Sequence, residues 1–243
     1  MPASELKNIP GHIGIIMDGN RRWARERRLP DSEGHFKALE KMNLCPLWFF
    51  GKGVAVISFL VFPAENWGRS PEEVNFLMKL LRQNIEEAAK DAVEKNYRLV
   101  FGGRVGELPG DLPQIIKETM DATKGGKAGT INVCLNYNGR TEIIDAVRKM
   151  VKSLSLKADP EHVSEEDRIH GGMIRKYLYD GELPDIDLIV RFSGEEKNSG
   201  FLLWQSLLSE LIFMNKHWPE FELSDADLLL REYDKRRKKY GKG

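Results

Sequence analysis

Short apolar runs alternate along this chain with longer segments that have helical patterns. The runs have the length and composition of buried strands and cover residues 13–17, 54–62, 98–101, 130–135, 187–190 and 211–213. Strands that alternate with helices favour a parallel sheet whose faces are covered by those helices. We therefore predict an α/β fold with a central, mostly parallel sheet flanked by helices, in one large domain or two small ones.

Composition narrows the class of protein. Lysine plus arginine and aspartate plus glutamate each number 37 among 243 residues, so the net charge is zero. A neutral chain lacks the positive field that non-specific nucleic-acid binding requires. Cys45 and Cys134 lie in apolar surroundings without CxxC spacing and indicate reduced core residues. The longest apolar run is far shorter than the roughly 20 residues of a membrane-spanning helix, so we expect a cytoplasmic protein with at most a peripheral contact at the inner membrane surface.

The first predicted strand ends in the turn Asp18-Gly19-Asn20, and a polar, helix-forming segment follows it. Gly19 can adopt a positive φ, and Asn20 can cap the helix. The unpaired N–H groups at a helix start attract anions, and the charges of Arg21 and Arg22 add to this attraction. Asp18 is a carboxylate beside this predicted anion site, which a divalent metal bridging it to a bound phosphate would explain. The alternative is that the tripeptide is only a connecting turn.

Three further polar clusters follow predicted strands, at the strand ends where parallel sheets bind ligands. They cover residues 63–69, 136–140 and 191–199. Four cations could together hold more than one phosphate group, namely Arg22, Arg69, Arg191 and Lys197. His35 is a further candidate phosphate donor, although a lone histidine is more often structural.

Glu210 lies in an otherwise apolar run, residues 201–213, where a carboxylate costs free energy unless it is paired or metal-bound. It is therefore our second candidate ligand for a metal at Asp18. No arrangement of Ser, His and Asp or of Cys and His indicates a hydrolase, and the GxxxxGK[ST] and GxGxxG signatures of nucleotide-binding proteins are absent. The residues thus indicate an enzyme site for Mg²⁺ and a ligand with several phosphates.

Two long helices are predicted beside this site. Ser70, Pro71 and Glu73 form a helix start, and the helix runs to about residue 95. Its apolar stripe is broader than one core-facing side requires, which fits either burial on two sides, as at a subunit interface, or the wall of an apolar cavity. Segment 32–50 is also predicted to be a helix, and we expect Pro46 to kink or end that helix. A diphosphate attached to a hydrocarbon chain would suit both the charged site and the apolar helices.

The four clusters together resemble the motifs of the cis-prenyltransferases. The matching segments are Met17-Asp18-Gly19-Asn20-Arg21-Arg22-Trp23, Glu65-Asn66-Trp67-Gly68-Arg69, Asn136-Tyr137-Asn138-Gly139-Arg140, Arg191-Phe192-Ser193-Gly194-Glu195 and Ser199-Gly200-Phe201-Leu202-Leu203-Trp204-Gln205. The resemblance runs from about residue 9 to residue 241 and keeps the order and spacing of the motifs. It implies a single domain over residues 1–243, a homodimer and a long hydrophobic tunnel. It also implies Mg²⁺-dependent addition of isopentenyl diphosphate to an allylic diphosphate with each new double bond cis.

The resemblance also implies a role for each site residue. Asp18 is the essential aspartate and a magnesium ligand, Asn66 assists proton removal from isopentenyl diphosphate, and Glu210 is the second metal ligand, which can reach the partner subunit's site. The allylic diphosphate is bound by Gly19, Asn20, Arg21, Arg22, Trp23 and His35. The other substrate-binding residues are Glu65, Trp67, Arg69 and Asn198, together with Arg191, Lys197 and Ser199, which hold the isopentenyl diphosphate. The helix over residues 70–95 is a wall of the tunnel.

The sequence departs from the family pattern at several positions. Asp31 stands where many members carry a basic residue, and its charge repels a diphosphate unless the side chain turns away. The other departures are Arg21, Pro63, Phe192, Lys197 and Gly200. They leave two alternatives open: a short-chain or head-to-middle coupling enzyme, and a non-catalytic partner subunit of an active prenyltransferase.

Overall fold

A computed structural model describes residues 6–155 and 170–239 of the chain. These residues form one six-stranded sheet in which all neighbouring strands are parallel. The strands are β1 (His12–Ile16), β2 (Val56–Pro63), β3 (Tyr97–Gly102), β4 (Gly129–Tyr137), β5 (Leu188–Arg191) and β6 (Glu210–Phe213). All six predicted strands are confirmed, with ends that differ from the predicted ones by at most two residues.

The spatial order of the strands is β3-β4-β2-β1-β5-β6, which places β1 between β2 and β5. In the register of β1 and β5, Ile13 lies opposite Leu188 and Ile16 lies opposite Arg191. Asp18 follows Ile16 by two residues, so this register brings its carboxylate close to the end of β5.

Helices cover both faces of the sheet. They are α1 (Asn20–Glu26), α2 (Asp31–Phe50), α3 (Pro71–Glu94), α4 (Leu112–Thr123), α5 (Gly139–Ser155), α6 (Gly171–Arg175) and α7 (Leu223–Lys239). The predicted start of α3 is confirmed, because Ser70 Oγ accepts a hydrogen bond from the Glu73 N–H at 3.3 Å and Pro71 is the first helical residue. Each helix within the described ranges is too short or too polar to cross a bilayer.

The predicted cap of α1 is wrong. Gly19, not Asn20, stands at the cap position, with a φ of 93°, and no side chain caps the helix. Asn20 is the first helical residue, and its amide donates back to the Met17 carbonyl at 3.2 Å. Glycine is favoured at this position because the turn needs a left-handed backbone, which asparagine adopts at a higher cost.

Pro46 does not end α2, which continues to Phe50. The last turn is held by packing rather than by an unbroken series of backbone hydrogen bonds. Phe49 is fully buried and stacks on Phe221 with ring centroids 6.3 Å apart, and Trp48 lies 5.5 Å from the same ring. Burial of these rings stabilises the turn by more than the lost hydrogen bond costs.

Side chains alternate along the strands and build a core on each face of the sheet. On one face, Ile13 and Ile15 pack with α2, α7 and Trp218, and α3 and α4 extend this layer over β3 and β4. On the other face, Ile16 and Cys134 pack with the segment that follows β5. Both cysteines are free and fully buried, as the sequence predicts.

A buried polar network lies on this second face. Gln205 Nε2 donates to Asp180 at 2.9 Å and to Glu142 at 3.2 Å, and the Tyr137 hydroxyl donates to Glu142 at 2.7 Å. Burial, helped by the nearby Asp180, raises the pKa of Glu142 to about 7, and burial also raises the pKa of Asp180. The folded protein therefore retains a proton on this pair at pH values where the unfolded chain has released it.

This proton makes stability depend on pH. Because the pKa of Glu142 is raised from an ordinary 4.5 to about 7 on folding, its contribution to the free energy of unfolding decreases as pH rises through that window. One pKa unit corresponds to about 1.4 kcal/mol, so we expect a decrease on the order of 2 to 3 kcal/mol. Glu142→Gln keeps the shape but cannot ionise, and its stability should fall less between about pH 5 and pH 8. Urea unfolding of both proteins at the two pH values measures the difference, and equal losses would contradict this assignment.

Candidate active site

The four predicted clusters meet at the carboxyl edge of the sheet. Asp18 follows β1, Asn66 follows β2, Asn138 follows β4, and Arg191 is the last residue of β5. All four line one cavity of about 400 Å³. The cavity therefore lies where parallel sheets commonly bind ligands, beyond the carboxyl ends of the strands.

An ion pair between Asp18 and Arg191 lies in the wall of this cavity. Arg191 Nε donates to Asp18 Oδ2 at 2.7 Å, and the Arg191 side chain is only 8% exposed. A charge buried to this extent needs a partner, since an uncompensated buried charge is strongly destabilising. Arg191 Nη1 also donates to Ser199 Oγ at 2.6 Å and to the carbonyl of Lys197. One guanidinium thus fixes the loop after β5 against the turn after β1.

The cavity has a charged side and an apolar side. Beside the ion pair it is lined by the polar residues Glu65, Asn66, Asn138, Lys197 and Ser199 and by the apolar residues Ile16, Leu60 and Phe201. In the part of the chain that the structure describes, Asp18 Oδ1 accepts no hydrogen bond. The cavity can therefore hold an anion that carries an apolar group, with one carboxylate oxygen still available.

Gly19 is required by space as well as by its backbone conformation. A Cβ at this position would overlap Ser193 Oγ and the His217 ring. The backbone N–H of Trp218 also donates to the Asp18 carbonyl at 3.0 Å. The turn that carries Asp18 is therefore held by segments from the far end of the chain.

A hydrogen-bonded series behind this turn was not predicted. Ser193 Oγ lies 2.6 Å from His217 Nδ1, and His217 Nε2 lies 3.0 Å from Glu26 Oε1. The Glu26 carboxylate can only accept, so in the neutral ring Nε2 carries the proton and the Ser193 hydroxyl donates to Nδ1. None of the three residues lines the 400 Å³ cavity, so the series supports the turn. Only Ser193 lies in a motif, and no local spacing relates it to the other two.

Two side chains of the predicted allylic-diphosphate site, Arg21 and His35, gather with Arg69 around Glu73 at the start of α3. Arg69 Nη1 lies 2.7 Å and Arg21 Nη1 lies 3.3 Å from its carboxylate, and His35 Nε2 lies 3.7 Å away. Burial, together with the charge of Arg69, lowers the pKa of His35. Sequence reasoning used Glu73 only as a capping residue. Its position four residues after Arg69 is the spacing of a helical ion pair and could have indicated this contact.

The predicted residues Glu65 and Trp67 join the loop after β2 to the end of β4. Asn138 Nδ2 donates to Glu65 Oε1 at 2.6 Å, and Trp67 Nε1 donates to Asn136 Oδ1 at 2.8 Å. Asn66 lies between them in the chain, so these bonds fix the segment that places it in the cavity wall.

Arg22 and Lys197 lie at the rim and share a carboxylate. Arg22 Nη2 is 3.7 Å and Lys197 Nζ is 3.3 Å from Glu195, and the Lys197 side chain is 66% exposed. Arg22 Nη1 also donates to the Ser193 carbonyl at 3.3 Å. The structure thus brings both cations close to the ion pair.

Three other predicted substrate-binding residues make local contacts. Asn198 Nδ2 donates to Ser206 Oγ at 3.0 Å, and the ring of Trp23 lies under the Arg27 guanidinium, 4.8 Å from its carbon. Asn20 Oδ1 is buried and has no hydrogen-bond partner among the described residues. The Asn20 amide oxygen is therefore unused by the protein's own polar groups.

Asp31 lies close enough to Arg21 and His35 for their charges to act on it, and it forms its own ion pair with Arg25. Arg25 binds it with two hydrogen bonds of 2.9 and 2.7 Å. These bonds hold the pKa of the Asp31 carboxyl below its usual value. The negative charge of Asp31 is thus neutralised by Arg25, so the presence of an aspartate at this position does not block an anion site.

Glu210 does not lie near Asp18 within one chain. It pairs with Leu188 at the amino end of β5, whereas Asp18 follows the carboxyl end of β1. Its carboxylate lies 3.5 Å from Arg236 Nη1, which explains how the charge is tolerated. Within residues 6–155 and 170–239 no three His, Cys, Asp or Glu side chains form a metal cage. A role for Glu210 at the metal therefore depends on a second subunit.

Comparison with known proteins places this architecture in a family. Residues 16–241 match the prenyltransferase family described as putative undecaprenyl diphosphate synthase. The tritrans,polycis-undecaprenyl-diphosphate synthase (geranylgeranyl-diphosphate specific) of Thermoplasma volcanium is 39% identical over 236 residues, which cover 96% of this chain and 89% of that protein. The isoprenyl transferase of Fusobacterium nucleatum is 37% identical over 235 residues, which cover 97% of each chain.

Solved structures agree with this assignment. The crystal structure of lavandulyl diphosphate synthase from Lavandula x intermedia in complex with dimethylallyl diphosphate matches with a TM-score of 0.85 and 26% identity, over 94% of this chain and 97% of that chain. A probable undecaprenyl diphosphate synthase from Campylobacter jejuni shares the fold, with a TM-score of 0.76 and 24% identity over 97% of this chain and 100% of that chain. With its parallel sheet and its charged cavity at the carboxyl edge, this chain belongs to the undecaprenyl diphosphate synthase family of cis-prenyltransferases and is a prenyl transferase.

Proposed function

We propose that this protein adds isopentenyl diphosphate to an allylic prenyl diphosphate, with Mg²⁺, and releases a longer (Z)-polyprenyl diphosphate. The observation that carries this proposal is the Asp18–Arg191 ion pair in the wall of a cavity that is charged on one side and apolar on the other. A diphosphate head on a short hydrocarbon chain matches both sides of such a cavity.

The proposed reaction has two diphosphate substrates and therefore requires two anion sites. The protein has two groups of cations, and each group would form one of these sites. Arg191, Lys197 and Ser199 would bind isopentenyl diphosphate beside Asp18. Arg21, Arg69 and His35 would bind the allylic diphosphate where they now surround Glu73. The turn and first helical residues, Gly19, Asn20, Arg22 and Trp23, complete this second site in the proposal.

Carboxylates hold the cations in place before substrate binds. Glu73 pairs with Arg21 and Arg69, and Glu195 pairs with Arg22 and Lys197. Partly exposed pairs of this kind contribute only up to about 1 kcal/mol each. A diphosphate has several charged oxygens and can accept bidentate hydrogen bonds from arginine, so it can replace the carboxylates. The donors then need little reorganisation.

Asp18 fits a magnesium ion that is shared with substrate. Magnesium at phosphate sites is commonly bound by one or two carboxylates, several waters and the phosphates themselves. Asp18 Oδ1 makes no hydrogen bond within the described ranges and belongs to a residue that lines the cavity. When bound, Mg²⁺ supplies charge stabilisation for the departing diphosphate.

The proposed reaction breaks the allylic carbon–oxygen bond, and the electron pair leaves with the diphosphate. The double bond of isopentenyl diphosphate forms the new carbon–carbon bond, and loss of a proton from that substrate restores a neutral alkene. Arg191 and Ser199 hold the attacking substrate, and Arg21 and Arg69 stabilise the leaving charge. Asn66, which lines the same cavity, would assist removal of the proton.

A second cavity of about 380 Å³, between α2, α3 and the sheet, suits the growing hydrocarbon chain. Its walls include Leu81 and Ile85 of α3 and Leu99, Phe101 and Val133 of the sheet. Each buried CH₂ group contributes about 0.8 kcal/mol, so chain growth into this cavity is favourable. This supports the prediction that α3 is a tunnel wall. The product would be a lipid, and we propose that it leaves through a peripheral contact at the inner membrane surface of the cytoplasm.

The activity is tested with labelled isopentenyl diphosphate, Mg²⁺ and allylic primers, among them geranylgeranyl diphosphate. We expect labelled lipid with at least one primer and none with EDTA. Asp18→Ala should lower kcat by about a hundredfold or more, because it removes the metal ligand and the partner of Arg191. The exposed Asp121→Ala on α4 is the matched control. Absence of labelled lipid with every primer, or normal turnover by Asp18→Ala, would refute the proposal.

We also propose that two copies of the chain form a homodimer through the edge of the sheet near β6. Leu207 and Leu208 are 83% and 90% exposed, and Ile144 and Val147 of α5 are also exposed. Gly139, the first residue of α5, lies against Leu203, which belongs to the same segment as the two leucines. A contiguous apolar surface beside an edge strand is a typical association surface. Glu210 begins β6 in this region, and in the proposal it serves the metal of the other subunit.

Substitution of the two leucines tests the dimer. The double variant Leu207→Glu and Leu208→Glu places charges in the proposed interface, so we expect a monomer where the unmodified protein is a dimer. Light scattering coupled to size-exclusion chromatography measures the mass. Leu228→Glu on α7, which is 59% exposed, is the control and should remain dimeric. A monomeric unmodified protein, or a dimeric double variant, would contradict this interface.

The alternative of a short-chain or head-to-middle coupling enzyme is favoured by one observation. The lavandulyl diphosphate synthase in complex with dimethylallyl diphosphate aligns with a TM-score of 0.85. Mass spectrometry of the product, with assignment of double-bond geometry, separates this alternative from a longer cis chain. A non-catalytic partner subunit is disfavoured because Asp18, Arg191 and Ser199 are all present and connected.

A further inference from the structure

A closed series of hydrogen bonds joins α1 to the loop after β5. Arg22 Nη1 donates to the Ser193 carbonyl at 3.3 Å, and the Ser193 hydroxyl donates to His217 Nδ1 at 2.6 Å. His217 Nε2 in turn donates to Glu26 Oε1 at 3.0 Å. Because Arg22 and Glu26 lie about one turn apart on α1, the series leaves this helix and returns to it. His217 thus links the end of α1 to the loop.

The backbone of Ser193 is strained, and contacts with other segments hold it. Its φ is 72°, in the left-handed region that residues other than glycine adopt at a cost in free energy. The Ser193 N–H donates to the Lys216 carbonyl at 2.9 Å, and the hydroxyl is bound by His217. Strained backbone persists only where the surrounding contacts determine it, and it is frequent at functional sites. The contact with His217 therefore helps to hold a conformation that a serine does not prefer.

His217 stands on a segment that is anchored independently of α1 and of the loop. The next residue, Trp218, is fully buried, and its indole N–H donates to the Ala38 carbonyl of α2 at 2.9 Å. The Trp218 backbone N–H donates to the Asp18 carbonyl at 3.0 Å. The His217 side chain is only 14% exposed. It is therefore a fixed point to which both α1 and the loop after β5 are attached.

The two elements that His217 joins carry different proposed binding sites. Asn20 and Arg22 of α1 belong to the proposed site of the allylic diphosphate. Lys197 and Ser199, in the loop after β5, belong to the proposed site of isopentenyl diphosphate. Bond formation requires reacting atoms about 3 to 3.5 Å apart, and a misplacement of about 1 Å can lower the rate by about a hundredfold. The position of α1 relative to the loop therefore matters more for the reaction step than for the binding of either substrate.

We propose that His217 is a positioning residue, which sets α1 against the loop after β5 and so aligns the two bound substrates. This inference rests on the proposed function, because it requires two diphosphates that react with each other. The described residues that line the cavity of about 400 Å³ do not include His217, so it acts through Ser193 and Glu26 rather than by touching substrate. Its loss should lower kcat while each substrate binds about as well as before.

Three substitutions of His217 test this role. His217→Leu removes both hydrogen bonds, and we expect kcat to fall about tenfold while the KM for each diphosphate stays within about threefold. His217→Asn places an amide near the position of Nδ1 and keeps the contact with Ser193, whereas His217→Gln places it near Nε2 and keeps the contact with Glu26. Both variants should have kcat values between those of His217→Leu and the unmodified protein. The exposed His170→Leu is the control and should keep the unmodified kcat.

A double-mutant cycle distinguishes one connected series from separate contacts. Ser193→Ala and Glu26→Ala remove the two ends of the series, and the two side chains are joined through His217. We expect their effects on kcat to be non-additive, and neither should lower kcat further in the His217→Leu background. Additive effects would overturn the proposal, and so would a His217→Leu variant that is altered in KM alone.

Incorporation of labelled isopentenyl diphosphate and thermal unfolding are measured for every protein. Absence of labelled lipid with the unmodified protein would reject the proposed function itself. Formation of lipid by the unmodified protein, with an unchanged kcat in a folded His217→Leu variant, would reject only the role of His217. Should the leucine variant fail to fold, the asparagine and glutamine variants decide: lowered kcat with unchanged KM supports the role, and unchanged kcat rejects it.

Discussion

The ion pair between Asp18 and Arg191 is the interaction on which the rest of the site depends. Arg191 ends a central strand and is largely withdrawn from water, and removal of one partner of such a pair typically costs about 3 to 5 kcal/mol. The parallel register that sets Ile16 opposite Arg191 also sets Asp18 beside its guanidinium. The pairing that builds the sheet therefore also brings together the two charges of the proposed head-group site.

The proposed binding of a polyanion by a chain with zero net charge depends on where its charges lie. The cations at the carboxyl edge are each matched by a nearby carboxylate, Glu73 for Arg21 and Arg69 and Glu195 for Arg22 and Lys197. Asp31 is neutralised by Arg25 in the same way. This pairing keeps the donors ordered and the surface free of a strong field, while leaving contacts weak enough for a diphosphate to replace.

Much of the fold could be predicted because it depends on local sequence patterns. The six strands, the Ser70 cap of α3 and the four polar clusters each depend on a few adjacent residues, and the rule for parallel sheets then brings the clusters together. What could not be predicted depends on contacts between distant segments. His217 and Glu26 join Ser193 only through the fold, and Glu210 is separated from Asp18 by the position at which β6 begins.

Periodicity also fails where a single residue departs from its surroundings. Pro46 lies inside a helix that aromatic packing maintains. Gly19 takes the cap position because His217 and Ser193 leave no space for a Cβ. In each case the tertiary environment decides what the local pattern leaves open.

The most direct test of this account is the binding of inorganic pyrophosphate, measured by titration calorimetry with and without Mg²⁺. The proposed head-group site contains Asp18, Arg191 and the metal ion. We therefore predict that pyrophosphate binding weakens at least tenfold when Mg²⁺ is removed and by a similar factor in the Asp18→Asn variant. Pyrophosphate binding of equal strength in the presence of EDTA, or in the Asp18→Asn variant, would contradict the central claim.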